Sequence, residues 1–122
     1  MAVTYSEMEK TISELGYKSV HSIDKVTEYL MPKQNERFYL HKETQKPKIV
    51  VRPVFEAFKH SLGELPGVII KESFYHNADM TSFPKKIHTG KREVHYGIAF
   101  EFENTGSISK LLTEVAKIAA GS

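Results

Sequence analysis

The chain has 122 residues, 40% of them hydrophobic and 11% aromatic, and its seventeen Lys and Arg against fifteen Asp and Glu leave a formal net charge of +2. That length suits one folding domain able to bury a core without a staple, the composition excludes wholesale disorder, and the charge is too small to announce a nucleic-acid protein by itself. The lack of cysteine excludes a disulfide framework, a thiolate metal site and a cysteine nucleophile, and with no long apolar run and no basic-then-apolar start the expected setting is cytoplasmic, away from membranes.

Ser6 followed by Glu9 reads as a capping box opening a first helix, with Met8, Ile12 and Leu15 on one face and Gly16 as its left-handed stop. Ser22–Met31 has helical spacing at Ile23, Val26 and Tyr29 but also the stretch Val-Thr-Glu-Tyr-Leu, and is read as strand. Arg37–Lys42 and Lys48–Arg52 are predicted strands joined by the polar loop Glu43–Pro47. Pro53 suits the first position of a short helix that would carry Phe55, Phe58 and Leu62 inward. Val68–Tyr75 is a further strand, started after Pro66-Gly67. Val94, Tyr96, Ile98, Phe100 and Phe102 alternate with smaller or polar residues, the pattern of a half-buried antiparallel strand. Ile108, Leu111, Leu112, Val115, Ile118 and Ala119 then mark one face of a closing helix, capped by Thr105 or Ser107. The expected fold is a single α+β domain over 1–122, a mostly antiparallel sheet of about four to six strands, with helices at the N-terminus, the middle and the C-terminus packed on it.

Positive charge gathers in the middle of the chain, where residues 31–60 hold seven basic side chains against three acidic ones. A second basic run, Lys85, Lys86, Lys91 and Arg92, brackets a Thr89-Gly90 turn, so the two basic pairs are expected to meet on a hairpin. Such cations neutralise phosphates, and Phe83 and Tyr75 nearby are candidates for stacking on bases; the bland alternative is a lysine-blunted strand. His88 and His95 complete the candidate contact surface. If Arg37, Tyr39 and His41 share a sheet face with Arg52 and His95, they form an anion-friendly patch. The run His95, Gly97, Ala99 is small enough for a helix, a partner or a ligand to approach the backbone, with a covering helix as the ordinary expectation.

A metal reading would recruit His76, Asp79, His88 and His95, but their spacing matches no compact ligand motif, so neither metal nor cofactor is expected. A general acid–base pair of His95 with Asp79 or Glu93 is selected by nothing in the sequence. There is no phosphate-binding loop, dinucleotide fingerprint, serine elbow or zinc-protease motif, and no catalytic residue is assigned.

Lys48–Pro53 (KIVVRP), Phe83-Pro84, the His95-Tyr96-Gly97-Ile98 strand and the amphipathic last helix together resemble the YgaC-like family, small bacterial cytoplasmic proteins built on a domain of unknown function. The resemblance spans roughly residues 10–118 and is specific at Phe83-Pro84 and His95–Ile98. The strand here ends Arg52-Pro53 where the family pattern has His-Pro. The resemblance implies a compact α+β fold and a cytoplasmic address, and no activity. The reading reached is a non-catalytic binding domain whose basic hairpin contacts nucleic acid or another anionic partner such as an acidic protein. The alternatives are an inhibitor of a protein partner, of the immunity or antitoxin kind, and a small histidine- or metal-dependent enzyme.

Overall fold

A computed structural model describes residues 3–23, 25–31, 33–42, 46–71, 73–87 and 93–121, with nothing said of the side chain of Ile87. It is a single α+β domain. Among the described residues the element order is α1 (Tyr5–Glu14), β1 (Lys18–Ile23), β2 (Val26–Met31), β3 (Glu36–His41), β4 (Lys48–Val51), a 3-10 helix (Pro53–Phe58), α2 (Lys59–Gly63), β5 (Val68–Ile70), β6 (Tyr75–His76), β7 (Lys85–Ile87), β8 (Glu93–Phe102) and α3 (Thr105–Gly121). The strands are antiparallel and run β1-β2-β3-β4-β8-β5, with β6 and β7 also pairing along β8.

The alternation of side chains along each strand gives the sheet two unlike faces. Tyr29, Met31, Phe38, Leu40, Ile49, Val51, Ile98 and Phe100 point to one of them, where Met8 and Ile12 of α1 and Ile108, Leu111, Leu112 and Val115 of α3 close the main core. The spacing in α3 therefore does what its period predicts. On the opposite face Val26, Tyr39, Val50 and Ala99 meet Met80 and Phe83. Among the described residues the expected helix over His95, Gly97 and Ala99 is not found; the irregular segment 77–84 packs there instead. A Cβ on Gly97 would stand 2.5 Å from the Val51 carbonyl oxygen and 3.0 Å from Phe83 Cε2, so only glycine lets that segment lie so close.

Local chemistry moves several predicted boundaries. The capping box is Thr4 with Glu7 rather than Ser6 with Glu9: Glu7 N–H donates to the Thr4 hydroxyl, and Thr4 N–H donates back to the Glu7 carboxylate at 2.9 Å. Gly16, at φ +90°, stops the helix as its sequence says. Asn104 caps α3, its side-chain oxygen accepting from Ser107 N–H at 2.9 Å. Val68–Tyr75 is two strands, β5 and β6, and Lys18–Ile23 is a strand that its composition does not announce, since all six residues are exposed. Phe55 and Leu62 go inward, but Phe58 is 40% exposed. Phe58 ends the 3-10 helix three residues after Phe55 and lines an open groove near the end of α3 instead of the core. Among the described residues no helix is long and apolar enough to cross a membrane.

Candidate functional site

Of the residues nominated from the sequence, His88, Lys91 and Arg92 lie outside the described residues. Lys85 and Lys86 are exposed on β7, which pairs antiparallel with β8 and sets Lys85 opposite His95. Lys86 Nζ sits 4.9 Å from the centroid of Phe74 and 5.7 Å from that of Tyr96, a cation held over two ring faces. Phe83 cannot serve as a stacking platform. It is 3% exposed and meets Tyr39 edge-on at 4.8 Å, so it belongs to the second core. Tyr75 is half-buried, its hydroxyl bonded to the His41 imidazole.

Phe83-Pro84 and His95–Ile98, the segments at which the family resemblance is specific, form one clasp. His95 Nδ1 donates to the Phe83 carbonyl at 2.6 Å, Tyr96 N–H donates to the Pro84 carbonyl at 3.0 Å, and Gly97 leaves room for the Phe83 ring. Their direct work is structural, locking segment 77–84 onto β8. His76 and His95 cannot act together: His76 pairs with Tyr96 and stacks on its ring, whereas His95, one position earlier, projects to the other face. Asp79 N–H closes a local turn on the Asn77 side chain. Among the described residues no three His, Asp or Glu side chains gather as a metal site.

A different place concentrates polar groups that are both fixed and reachable. A groove of about 750 Å³ opens between the β2–β3 turn, the start of the 3-10 helix, Ser82-Phe83 and the end of α3. That volume lies within the range of roughly 300–1,000 Å³ usual for small-ligand sites. Its polar wall is built by strand geometry. Arg37, Tyr39 and His41 share a face of β3 because Phe38 and Leu40 take the other into the main core. Glu28 lies opposite Tyr39 and so diagonal to Arg37; its carboxylate accepts from Arg37 Nη1 at 2.8 Å and from the Ser82 hydroxyl at 2.7 Å. Ser82 N–H in turn donates to the Tyr39 hydroxyl at 2.9 Å.

Arg52 is the second cation. It stands where β4 ends, held extended by the following Pro53. Its Nε and Nη2 each donate at 2.6 Å to the two oxygens of Glu36, a bidentate fork. Those bonds push the Arg52 pKa above its ordinary value, against the opposing effect of burial. Asn35, left-handed at φ 53°, makes the turn that delivers Glu36, and asparagine tolerates that conformation better than most residues. Both carboxylates are buried, Glu28 at 4% and Glu36 at 3% exposure, while the Arg37 and Arg52 side chains are 41% and 44% exposed. Each guanidinium is thus tethered from behind and open in front.

In the sequence Arg37, Arg52 and His95 make only a conditional patch. The structure puts Arg37, Tyr39 and His41 on one face, with His95 facing the same way, and turns Arg52 to Glu36 in the same groove as Arg37. The sequence signal for the groove was slight: Glu28 sits in the middle of the otherwise uncharged strand Val26–Met31 and demands a partner, whereas Glu36 opens a strand that already holds Arg37 and His41. No known protein family and no curated protein matches the chain.

Proposed function

We propose that this chain is a non-catalytic binding domain for an anionic partner, with Arg37 and Arg52 as its recognition groups. The observation that carries this reading is the pair of half-exposed guanidiniums, each fixed by a buried carboxylate in one groove. Planar cations that are pre-oriented lose little freedom on binding, which is where such sites gain affinity. The likeness to the YgaC-like family belongs to the same proposal, and with it a bacterial, cytoplasmic setting.

A second reading keeps nucleic acid at the β7–β8 hairpin. It is favoured by two exposed neighbouring lysines, one resting on Phe74 and Tyr96. Amide-shift titrations with short single- and double-stranded oligonucleotides and with small organic anions, at low and moderate salt, separate the two. Shifts centred on Asn35–Arg37 and Arg52–Phe58, lost in the double variant E36Q/R52Q, support the groove. Shifts centred on Lys85–Tyr96 that fade with salt and vanish in K85E/K86E move the contact to the hairpin. No shift with any anion overturns both.

A further inference from the structure

The groove is rich in donors yet balanced in charge. Arg37 and Arg52 contribute two positive charges, and Glu28 and Glu36 return two negative ones from 2.8 and 2.6 Å behind them. An incoming anion therefore meets directed N–H groups rather than a strong positive field. Arg52 spends Nε and Nη2 on Glu36, which leaves Nη1 outside that pair, and Arg37 spends Nη1 on Glu28, which leaves Nε and Nη2 outside its own. Both side chains line the groove, and the paired N–H groups of a guanidinium fit the two oxygens of a carboxylate.

The opposing wall is apolar. Val54 and Phe58, 59% and 40% exposed, are among the most exposed large hydrophobic side chains described, and both line this groove beside Phe55, Ile118 and Ala119. Apolar side chains left in water next to anchored donors match an amphipathic ligand better than a polymer of phosphates.

We infer that the groove takes a monocarboxylate with an apolar body, its headgroup on Arg37 and Arg52 and its body on Val54 and Phe58. This rests on the anion-binding reading above and adds the ligand class. A phosphate or phosphonate dianion brings twice the charge into a groove whose two arginines are already balanced by Glu28 and Glu36, so these carboxylates oppose it more strongly than a monoanion. A neutral amide of the same shape keeps the apolar contact and loses the charge-assisted hydrogen bonds.

The test compares three probes of one shape, 3-phenylpropionate, 3-phenylpropanamide and 2-phenylethylphosphonate, by amide-shift titration of the full chain. The acid is expected to bind with a dissociation constant on the order of 1 mM, reasonable for so small a ligand, and to shift Asn35–Arg37 and Arg52–Phe58. The amide and the phosphonate are each expected to bind about 10-fold more weakly, and raised salt to change the acid's affinity by less than about 3-fold. Phe58→Ser, at an exposed position, should weaken the acid about 3-fold or more and leave the melting temperature unchanged, and E36Q/R52Q should abolish its shifts. A phosphonate that binds more tightly at these residues, with steep salt dependence, overturns the monocarboxylate class and leaves the anion-binding reading standing. An amide that binds as well as the acid overturns both, because the charge then does nothing. No saturable shift from any probe overturns the ligand class, and the oligonucleotide titrations then decide the broader reading.

Discussion

Arg52 closes on Glu36 through two hydrogen bonds of 2.6 Å, and the two partners sit in unlike surroundings: the carboxylate is 3% exposed and the guanidinium side chain 44%. Removing the cation strands a charge in the interior, whereas removing the anion frees a cation that water can still reach. Arg52→Met should therefore cost about 3 kcal/mol of unfolding free energy and Glu36→Gln about 1 kcal/mol. E36Q/R52Q, which retains a neutral hydrogen-bonding pair, should lie closer to Glu36→Gln. Urea denaturation of the three variants checks the order; equal losses for the two single variants would show that Glu36 is not effectively buried.

Gly97 is hemmed in by β4 first and by Phe83 of the clasp second. Its missing Cβ would meet Val50 Cγ1 at 2.7 Å as well as the Val51 carbonyl and Phe83. Gly97→Ala should cost about 1–3 kcal/mol through forced displacement, with exchange protection lost first in segment 77–84. Gly121→Ala, where a Cβ meets nothing within 4 Å, is the control and should be close to neutral. Equal melting temperatures for Gly97→Ala and the native chain would contradict the close approach.

At the N-terminus the two possible capping serine and threonine positions give opposite expectations. Thr4→Ala should destabilise by about 1 kcal/mol and Ser6→Ala by only a few tenths. The hydrogen bonds from Thr4 hold the Glu7 pKa below its ordinary value. A carboxylate depressed in the folded state adds stability above its unfolded value of 4.5, and that part is lost as pH falls through the folded value. The acid-side slope should be shallower in Thr4→Ala, which thermal unfolding across pH 3 to 6 would read against about the reference carboxylate range.

Burial, with the charges of Glu9 and Tyr5 adding to it, pushes Tyr29 up to about 12 from 10.0. An acid whose folded pKa is raised holds its proton where the unfolded chain has released it, so stability present below about pH 10 declines as pH rises toward the folded value. Tyr29→Phe keeps the stack on Phe38, whose ring centroid lies 5.4 Å away, and removes this titration. Its stability should fall less steeply than that of the native chain between these pH values in chemical denaturation; identical alkaline slopes would mean that Tyr29 is not the responsible group.

How much of this was legible depended on whether a feature was periodic or pairwise. The apolar faces of α1, α3 and β8 follow from spacing alone, because Met8 and Ile12, Ile108 and Leu112, and Ile98 and Phe100 repeat with the period of their element and are buried as expected. β1 was not readable, since a strand exposed at all six positions carries no alternation. Phe58 misled because spacing gives the face a residue takes but not what that face meets, and here it meets an open groove. Phe83 misled because its basic sequence neighbours said nothing of Tyr39, forty-odd positions away in the chain and in contact with it. The groove is the extreme case. Glu28 with Arg37 and Glu36 with Arg52 are chosen by strand register and by the Asn35 turn, neither of which one sequence discloses.

The central claim is that Arg37 and Arg52 present anchored guanidiniums to an anion. It is tested most directly by following their Nε–H resonances during titration with 3-phenylpropionate. Arg37 Nε lies outside its pair with Glu28, while Arg52 Nε is already committed to Glu36. The account predicts a large, saturable shift at Arg37 Nε–H, a small one at Arg52 Nε–H, and persistence of the 2.6 Å pair throughout. Arginine resonances that stay still while the Lys85 and Lys86 amides move would contradict it.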